Sequence, residues 1–137
     1  MIKNINGVDY FNDSKGTNVA STIAALASFD NKRIILIAGG DAKNQNLLPL
    51  KDSIKNNVKA LILIGRDAHV FMDNFKDIDC LEIAICESMK EAVTKAYRLA
   101  NQGEVVLLSP ASASLDMYSN YIERGNHFKE IVHQIIL

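Results

Sequence analysis

Three stretches of this chain carry no polar residue: Ile34-Ile35-Leu36-Ile37-Ala38, Ala60-Leu61-Ile62-Leu63-Ile64 and Val105-Val106-Leu107-Leu108. A strand with one wet face alternates apolar and polar residues, so a strand with no alternation is covered on both faces. Runs this short and this rich in branched residues suit strands rather than buried helices. Several strands buried on both faces imply the centre of a parallel sheet flanked by helices.

The intervening segments supply the helices. Val19, Ile23, Leu26 and Ala27 recur at helical spacing and predict a helix from about Asn18 to Phe29. Leu47–Asn56 and Asp67–Phe75 are further candidates, and Leu81–Ala84 is a weaker strand. Ser88-x-x-Glu91 is a capping box opening a helix to about Ala100, with Met89, Ala92, Val93, Ala96 and Tyr97 turned inward. Phe128, Ile131, Val132 and Ile135 form the stripe of a last helix, with Gly125 expected to separate it from a short turn near Met117–Ile122. At the start, Ile2–Ile5 and Val8–Phe11 flank Asn6-Gly7, a strong hairpin signal. The order β-β-α-β-α-β-α-β-α-β-α reads as one domain over residues 1–137. It is an α/β fold: a three-layer α/β/α sandwich, Rossmann-like, with a mostly parallel sheet and an N-terminal β-hairpin.

A net charge of −1 gives no sign of a nucleic-acid or acidic-membrane surface. The longest apolar runs are about five residues, against the roughly twenty that span a bilayer. Met1-Ile2-Lys3-Asn4 lacks the apolar core of a signal peptide, so the expected location is cytoplasmic. Cys80 and Cys86 fit neither a zinc site nor a redox pair and read as small buried hydrophobes. His69, His127 and His133 show no metal-binding spacing and read as surface or cap histidines.

Four polar segments follow strands, and therefore belong to the carboxyl-end loops where α/β sheets bind ligands. Asn12-Asp13-Ser14-Lys15-Gly16-Thr17-Asn18 sets an ammonium and a hydroxyl beside the N–H groups of a helix start, an arrangement suited to phosphate or carboxylate. Asp13 there could accept from ribose hydroxyls or hold Lys15; the plain alternative is a helix cap by Thr17 or Asn18 with Asp13 and Lys15 solvated. Gly39-Gly40-Asp41-Ala42-Lys43 offers a close backbone approach and a second cation, and is neither a Walker A loop nor a dinucleotide fingerprint. In Gly65-Arg66-Asp67, Arg66 reaches a ligand or Asp67 caps the next helix. Ser109-Pro110-Ala111-Ser112-Ala113-Ser114-Leu115-Asp116 brings three hydroxyls to a loop whose backbone can wrap an oxyanion, with no base beside them to make a nucleophile; its plain alternative is an ST-turn connector. Jointly these loops describe a site for an anionic small molecule.

The same residues, in this order, resemble the C-terminal domain of the Mur ligase family, and within it the members that add D-glutamate. The resemblance rests on Asn6-Gly7-Val8, the Asn12–Asn18 run, Ser21-Thr22, Gly39–Lys43, Gly65-Arg66-Asp67, Leu107–Asp116 and Tyr121-x-x-Arg124-Gly125-Asn126-x-Phe128. It implies an ATP- and Mg2+-dependent ligase in which the carboxylate of UDP-N-acetylmuramoyl-L-alanine is phosphorylated and attacked by the amine of D-glutamate. It implies that Lys43 and Thr17 bind the α-carboxylate of D-glutamate. Ser114, with backbone near Leu115 and Tyr121, is implied to bind the side-chain carboxylate. Asp13 is implied to contact the ATP ribose, and Lys15 to face the phosphates in a catalytic role, with no metal ligand supplied here. The family's ATP-binding central domain and UDP-binding N-terminal domain have no counterpart in these residues. The expectation is therefore an excised domain that is inactive alone and works with those domains as partners. Competing readings are a related ligase for another amino acid, a stand-alone anion- or nucleotide-binding module, and a dinucleotide oxidoreductase, the last disfavoured for want of G-x-G-x-x-G.

Overall fold

The computed structural model describes residues 1–29, 33–42, 45–112 and 117–135. The chain starts as the expected hairpin. Strands β1 (Lys3–Ile5) and β2 (Val8–Asn12) pair antiparallel, with Ile5 opposite Val8. Asn6 and Gly7 close the turn at φ 52° and 84°, the left-handed pair that a two-residue hairpin requires.

The three apolar runs become β3 (Ile34–Gly39), β4 (Val58–Ile64) and β6 (Val105–Leu108), and β5 (Glu82–Ile85) forms one edge. Among the described residues, the six strands make one sheet in the order β1-β2-β6-β3-β4-β5, parallel except for the hairpin. Successive side chains of β3 enter opposite cores. Ile35 and Ile37 pack with α4 (Met89–Leu99) and α5 (Tyr121–Gln134). Ile34, Leu36 and Ala38 pack with α1 (Val19–Ala27), α2 (Leu50–Asn57) and α3 (Ala68–Phe75). Both faces are therefore covered, which is why these strands show no polar alternation.

Three expectations are corrected. Gly125 does not break the last helix: α5 runs through it, and Gly125 is buried. A Cβ there would collide with Ser14 Oγ and lie 2.8 Å from Asn12 Nδ2, so glycine is present for close packing rather than as a stop. Tyr97 is 39% exposed, whereas Met89, Ala92, Val93 and Ala96 are buried as expected. Cys80 is exposed, in a turn with φ 62°, and only Cys86 behaves as a buried hydrophobe. The capping box forms with a one-residue offset. Ser88 Oγ accepts from Glu91 N–H, while the Glu91 carboxylate reaches back to the N–H of Glu87.

Candidate functional site

The strand order explains how sequence-distant motifs meet. The chain leaves β2, crosses by α1 to β3, and returns late to insert β6 between them. Asn12, Leu108 and Ile37 stand level across the three strands. The loops that follow are consequently neighbours at the carboxyl edge, the place where open α/β sheets bind ligands.

These loops are laced together by backbone bonds. Asp13 N–H donates to Leu108 O at 2.7 Å, Ala111 N–H to Gly16 O at 2.7 Å, and Gly39 N–H to Pro110 O at 3.0 Å. Ser109 Oγ donates to Asp13 Oδ2 at 2.7 Å and lies 3.0 Å from Thr22 Oγ1. Thr22 Oγ1 also donates to Ser109 O at 3.1 Å. Gly16 is required by this crowding, since a Cβ would sit 2.6 Å from Ser109 Oγ. Ser109 and Ser112 are fully buried, and Ser112 Oγ turns to Pro110 O. Both hydroxyls are engaged within the loop and its neighbours, as in the alternative of an ST-turn connector.

The start of α1 also differs from the expected anion cradle. Asn18 is the cap, its Oδ1 accepting from Ser21 N–H at 2.9 Å, and Val19 N–H donates to Gln45 Oε1 at 3.0 Å. Those amides are already engaged by protein groups. Thr17 is half-buried and its N–H bonds to Lys15 O, so it enters the loop rather than capping the helix.

Asp13, Lys15 and Tyr121 are brought together. With Asn12, Ser14, Ile122 and Asn126 they line a cleft of about 320 Å³. Lys15 is exposed and makes no ion pair with any described residue. Asp13 spends one carboxylate oxygen on Ser109 and accepts nothing on the other from described residues. It also lines a second cleft of about 400 Å³ between β2 and α1, walled by the edge-to-face pair Phe11 and Phe29. Tyr121 opens α5 at 37% exposure. Lys43, Ser114 and Leu115 lie outside the described residues.

Gly65-Arg66-Asp67 braces the neighbouring loop. Arg66 pairs with Asp41 at 2.6 Å and approaches Asp67 at 3.6 Å. Asp41 first, and Asp67 second, push the pKa of its guanidinium above the ordinary value. Asp67 stands at the cap position of α3, yet its carboxylate accepts from Ala42 N–H at 2.8 Å rather than from its own helix.

Two residues given no role in the sequence reading hold the edge in shape. Gln45 joins Val19 N–H to Ala111 O, accepting on one side and donating at 2.9 Å on the other. Arg124, only 1% exposed, donates from Nη1 to Ser112 O and from Nη2 to Ser14 O. A buried guanidinium costs several kcal/mol of desolvation, which such carbonyl partners offset. Arg124 stands in the quoted Tyr121–Phe128 pattern, whereas Gln45 carries no local signal, since its partners lie 26 and 66 residues away.

Comparison with known proteins gives the family. Residues 1–112 match the family model described as Mur ligase, glutamate ligase domain. The chain belongs to the Mur ligase family. The similar curated proteins named UDP-N-acetylmuramoylalanine--D-glutamate ligase include one from Methylobacillus flagellatus, 44% identical over 131 residues. Others come from Bordetella avium, 43% identical over 137 residues, and Coxiella burnetii, 47% identical over 131 residues. These alignments cover 96%, 100% and 93% of this Mur ligase chain, but 28%, 27% and 29% of those proteins. The chain thus spans under a third of the length of its relatives. A solved domain from Haemophilus ducreyi 35000HP, described as from a UDP-N-acetylmuramate:L-alanyl-gamma-D-glutamyl-meso-diaminopimelate ligase, superposes with TM-score 0.57 at 13% identity. It covers 98% of this chain and 93% of that one, a likeness of fold.

Proposed function

We propose that this chain is the amino-acid-binding part of an ATP-dependent, ADP-forming ligase that adds D-glutamate to UDP-N-acetylmuramoyl-L-alanine in the cytoplasm, a step of peptidoglycan synthesis. The observation that carries the reading is the cleft where Asp13, Lys15 and Tyr121 meet, in a chain 43–47% identical to proteins named for that reaction. The ATP-binding and UDP-binding domains belong, on this reading, to the remainder of a longer polypeptide, and the 137 residues alone are inactive.

The residues fit part of a nucleotide site. The Asp13 carboxylate suits ribose hydroxyls, and the exposed Lys15 ammonium suits phosphate oxygens. On this reading Mg2+ is held with the ATP phosphates by the other domains. ATP supplies the phosphoryl transfer that activates the acceptor carboxylate. The residues of this chain then do the positioning. D-Glutamate is a dicarboxylate and needs two separated anion sites. Lys43 and Thr17 take the α-carboxylate, and Ser114, together with backbone groups of Leu115 and Tyr121, takes the side chain. Both ends held leaves the amine aimed at the activated carbonyl, while Lys15 offsets developing negative charge.

The test is D-glutamate-dependent ADP formation by the full polypeptide with UDP-N-acetylmuramoyl-L-alanine, comparing wild type with Lys43→Ala and Lys15→Ala. A charge-assisted contact contributes about 1.5–3 kcal/mol, so each variant should lose roughly 10- to 150-fold in kcat/KM. The Lys43→Ala loss should appear in KM for D-glutamate and the Lys15→Ala loss in kcat. Turnover with a different amino acid in place of D-glutamate would move the chain to another ligase of the family. Absence of ADP formation with any amino acid would leave an anion-binding module.

A further inference from the structure

Arg124 heads the fully buried large side chains, where its charge must be desolvated. Its two η nitrogens go to different loops, Nη2 to Ser14 O at 2.9 Å and Nη1 to Ser112 O at 3.1 Å. One carbonyl lies between Asp13 and Lys15, and the other stands two residues before Ser114. The neighbouring Gly125 lets α5 press against Ser14 and Asn12 with no room for a methyl group. On the opposite side of the sheet the same two loops are tied through Asp13, Ser109 and Thr22 of α1.

We propose that Arg124 is a positioning residue that ties the Asn12–Asn18 loop and the Ser109–Ser112 loop to α5, and so sets the span between Thr17 and Tyr121 at the two ends of the D-glutamate site. This rests on the ligase reading above. A planar guanidinium holds its two η donors at a fixed separation in one plane. Lysine offers one mobile ammonium and reaches one carbonyl at a time. An apolar residue leaves both carbonyls without their donor. The clamp is two-sided: α1 secures the loops through hydroxyls, and α5 secures them through Arg124.

The test uses Arg124→Met and Arg124→Lys. In the 137-residue chain, amide hydrogen exchange is followed at Ala111, whose N–H donates to Gly16 O and reports docking of one loop on the other. Protection at Ala111 should fall at least about tenfold in Arg124→Met, with the amides of β3 and β4 unchanged and Arg124→Lys in between. Unchanged protection at Ala111 overturns the proposal. An equal loss across β3 and β4 overturns it too, since Arg124 would then be a packing residue of the whole core. In the full polypeptide, Arg124→Met should raise KM for D-glutamate at least about tenfold. A fall in kcat alone, the mark of less folded enzyme, counts against positioning. If wild type does not use D-glutamate, the ligase reading fails and the exchange experiment alone decides the role of Arg124 at the loops.

Discussion

Gly39→Ala should damage this protein more than any ordinary Gly→Ala change, and the structure separates the reasons. Gly39 ends β3 at φ +114°, where an L side chain costs about 1–2 kcal/mol. A Cβ there would also meet the backbone of Ile64, 3.0 Å from its nitrogen and 3.1 Å from its carbonyl carbon, with the carbonyl oxygen closer still. The obstacle is a strand in the middle of the sheet, not a side chain that can rotate away, so crowding adds about 1–3 kcal/mol. The total is about 2–5 kcal/mol. Gly103 provides the control, because its φ is +91° and nothing lies within 4 Å of its would-be Cβ. Gly103→Ala should therefore show the backbone cost alone, about 1–2 kcal/mol. Urea unfolding of the 137-residue chain, followed by circular dichroism, should place the Gly39→Ala midpoint clearly below that of Gly103→Ala. In heat, each kcal/mol is worth about 3–5 °C for a chain of this size. Equal losses in the two variants would refute the claim that close approach of β3 and β4 is what demands glycine at the loop beside Pro110.

Two further outcomes follow from buried polar groups. Gln45→Ala removes the acceptor of Val19 N–H and the donor to Ala111 O; it should cost about 1–3 kcal/mol in urea unfolding. A loss well under that range would mean water replaces both bonds. Tyr10 has its phenol pKa raised from 10.0 to about 12, by burial first and by Tyr97 second. A folded pKa above the unfolded one stabilises the fold below pH 10, and that contribution is lost as pH rises from about 10 to about 12. Phenolate absorbance should thus show a late ionisation step from Tyr10, with stability falling across the same window. Tyr10→Phe should abolish the late step. Absence of any late step that Tyr10→Phe removes would contradict the burial argument.

Reading the sequence locates most elements because the signals are local. The apolar runs, the Asn6-Gly7 turn and the Ser88–Glu91 cap each depend on residues within a few positions of one another. It misreads Gly125 because a helix-breaking glycine and a packing glycine look alike along the chain; only the nearness of Ser14 and Asn12, more than 100 positions earlier, tells them apart. It leaves the roles of Ser109 and Ser112 open for a related reason. A hydroxyl in a polar loop suggests a ligand until the neighbouring strand supplies Asp13 and Thr22 as partners.

The amino-acid order by itself determined the fold class, the family and the inventory of charged and hydroxyl groups at the carboxyl edge. Period and turn chemistry are properties of neighbouring residues, and a motif is carried by the order of its letters. Which groups remain available to a ligand was decided only in three dimensions. Insertion of β6 between β2 and β3 brings the Asp13 and Ser109 loops together, buries some polar groups in mutual bonds, and leaves Lys15 and Tyr121 on the cleft. Hydrogen bonds reach only about 3 Å, so a side chain's role depends on what the sheet sets beside it, and strand order is not written in any local stretch of sequence.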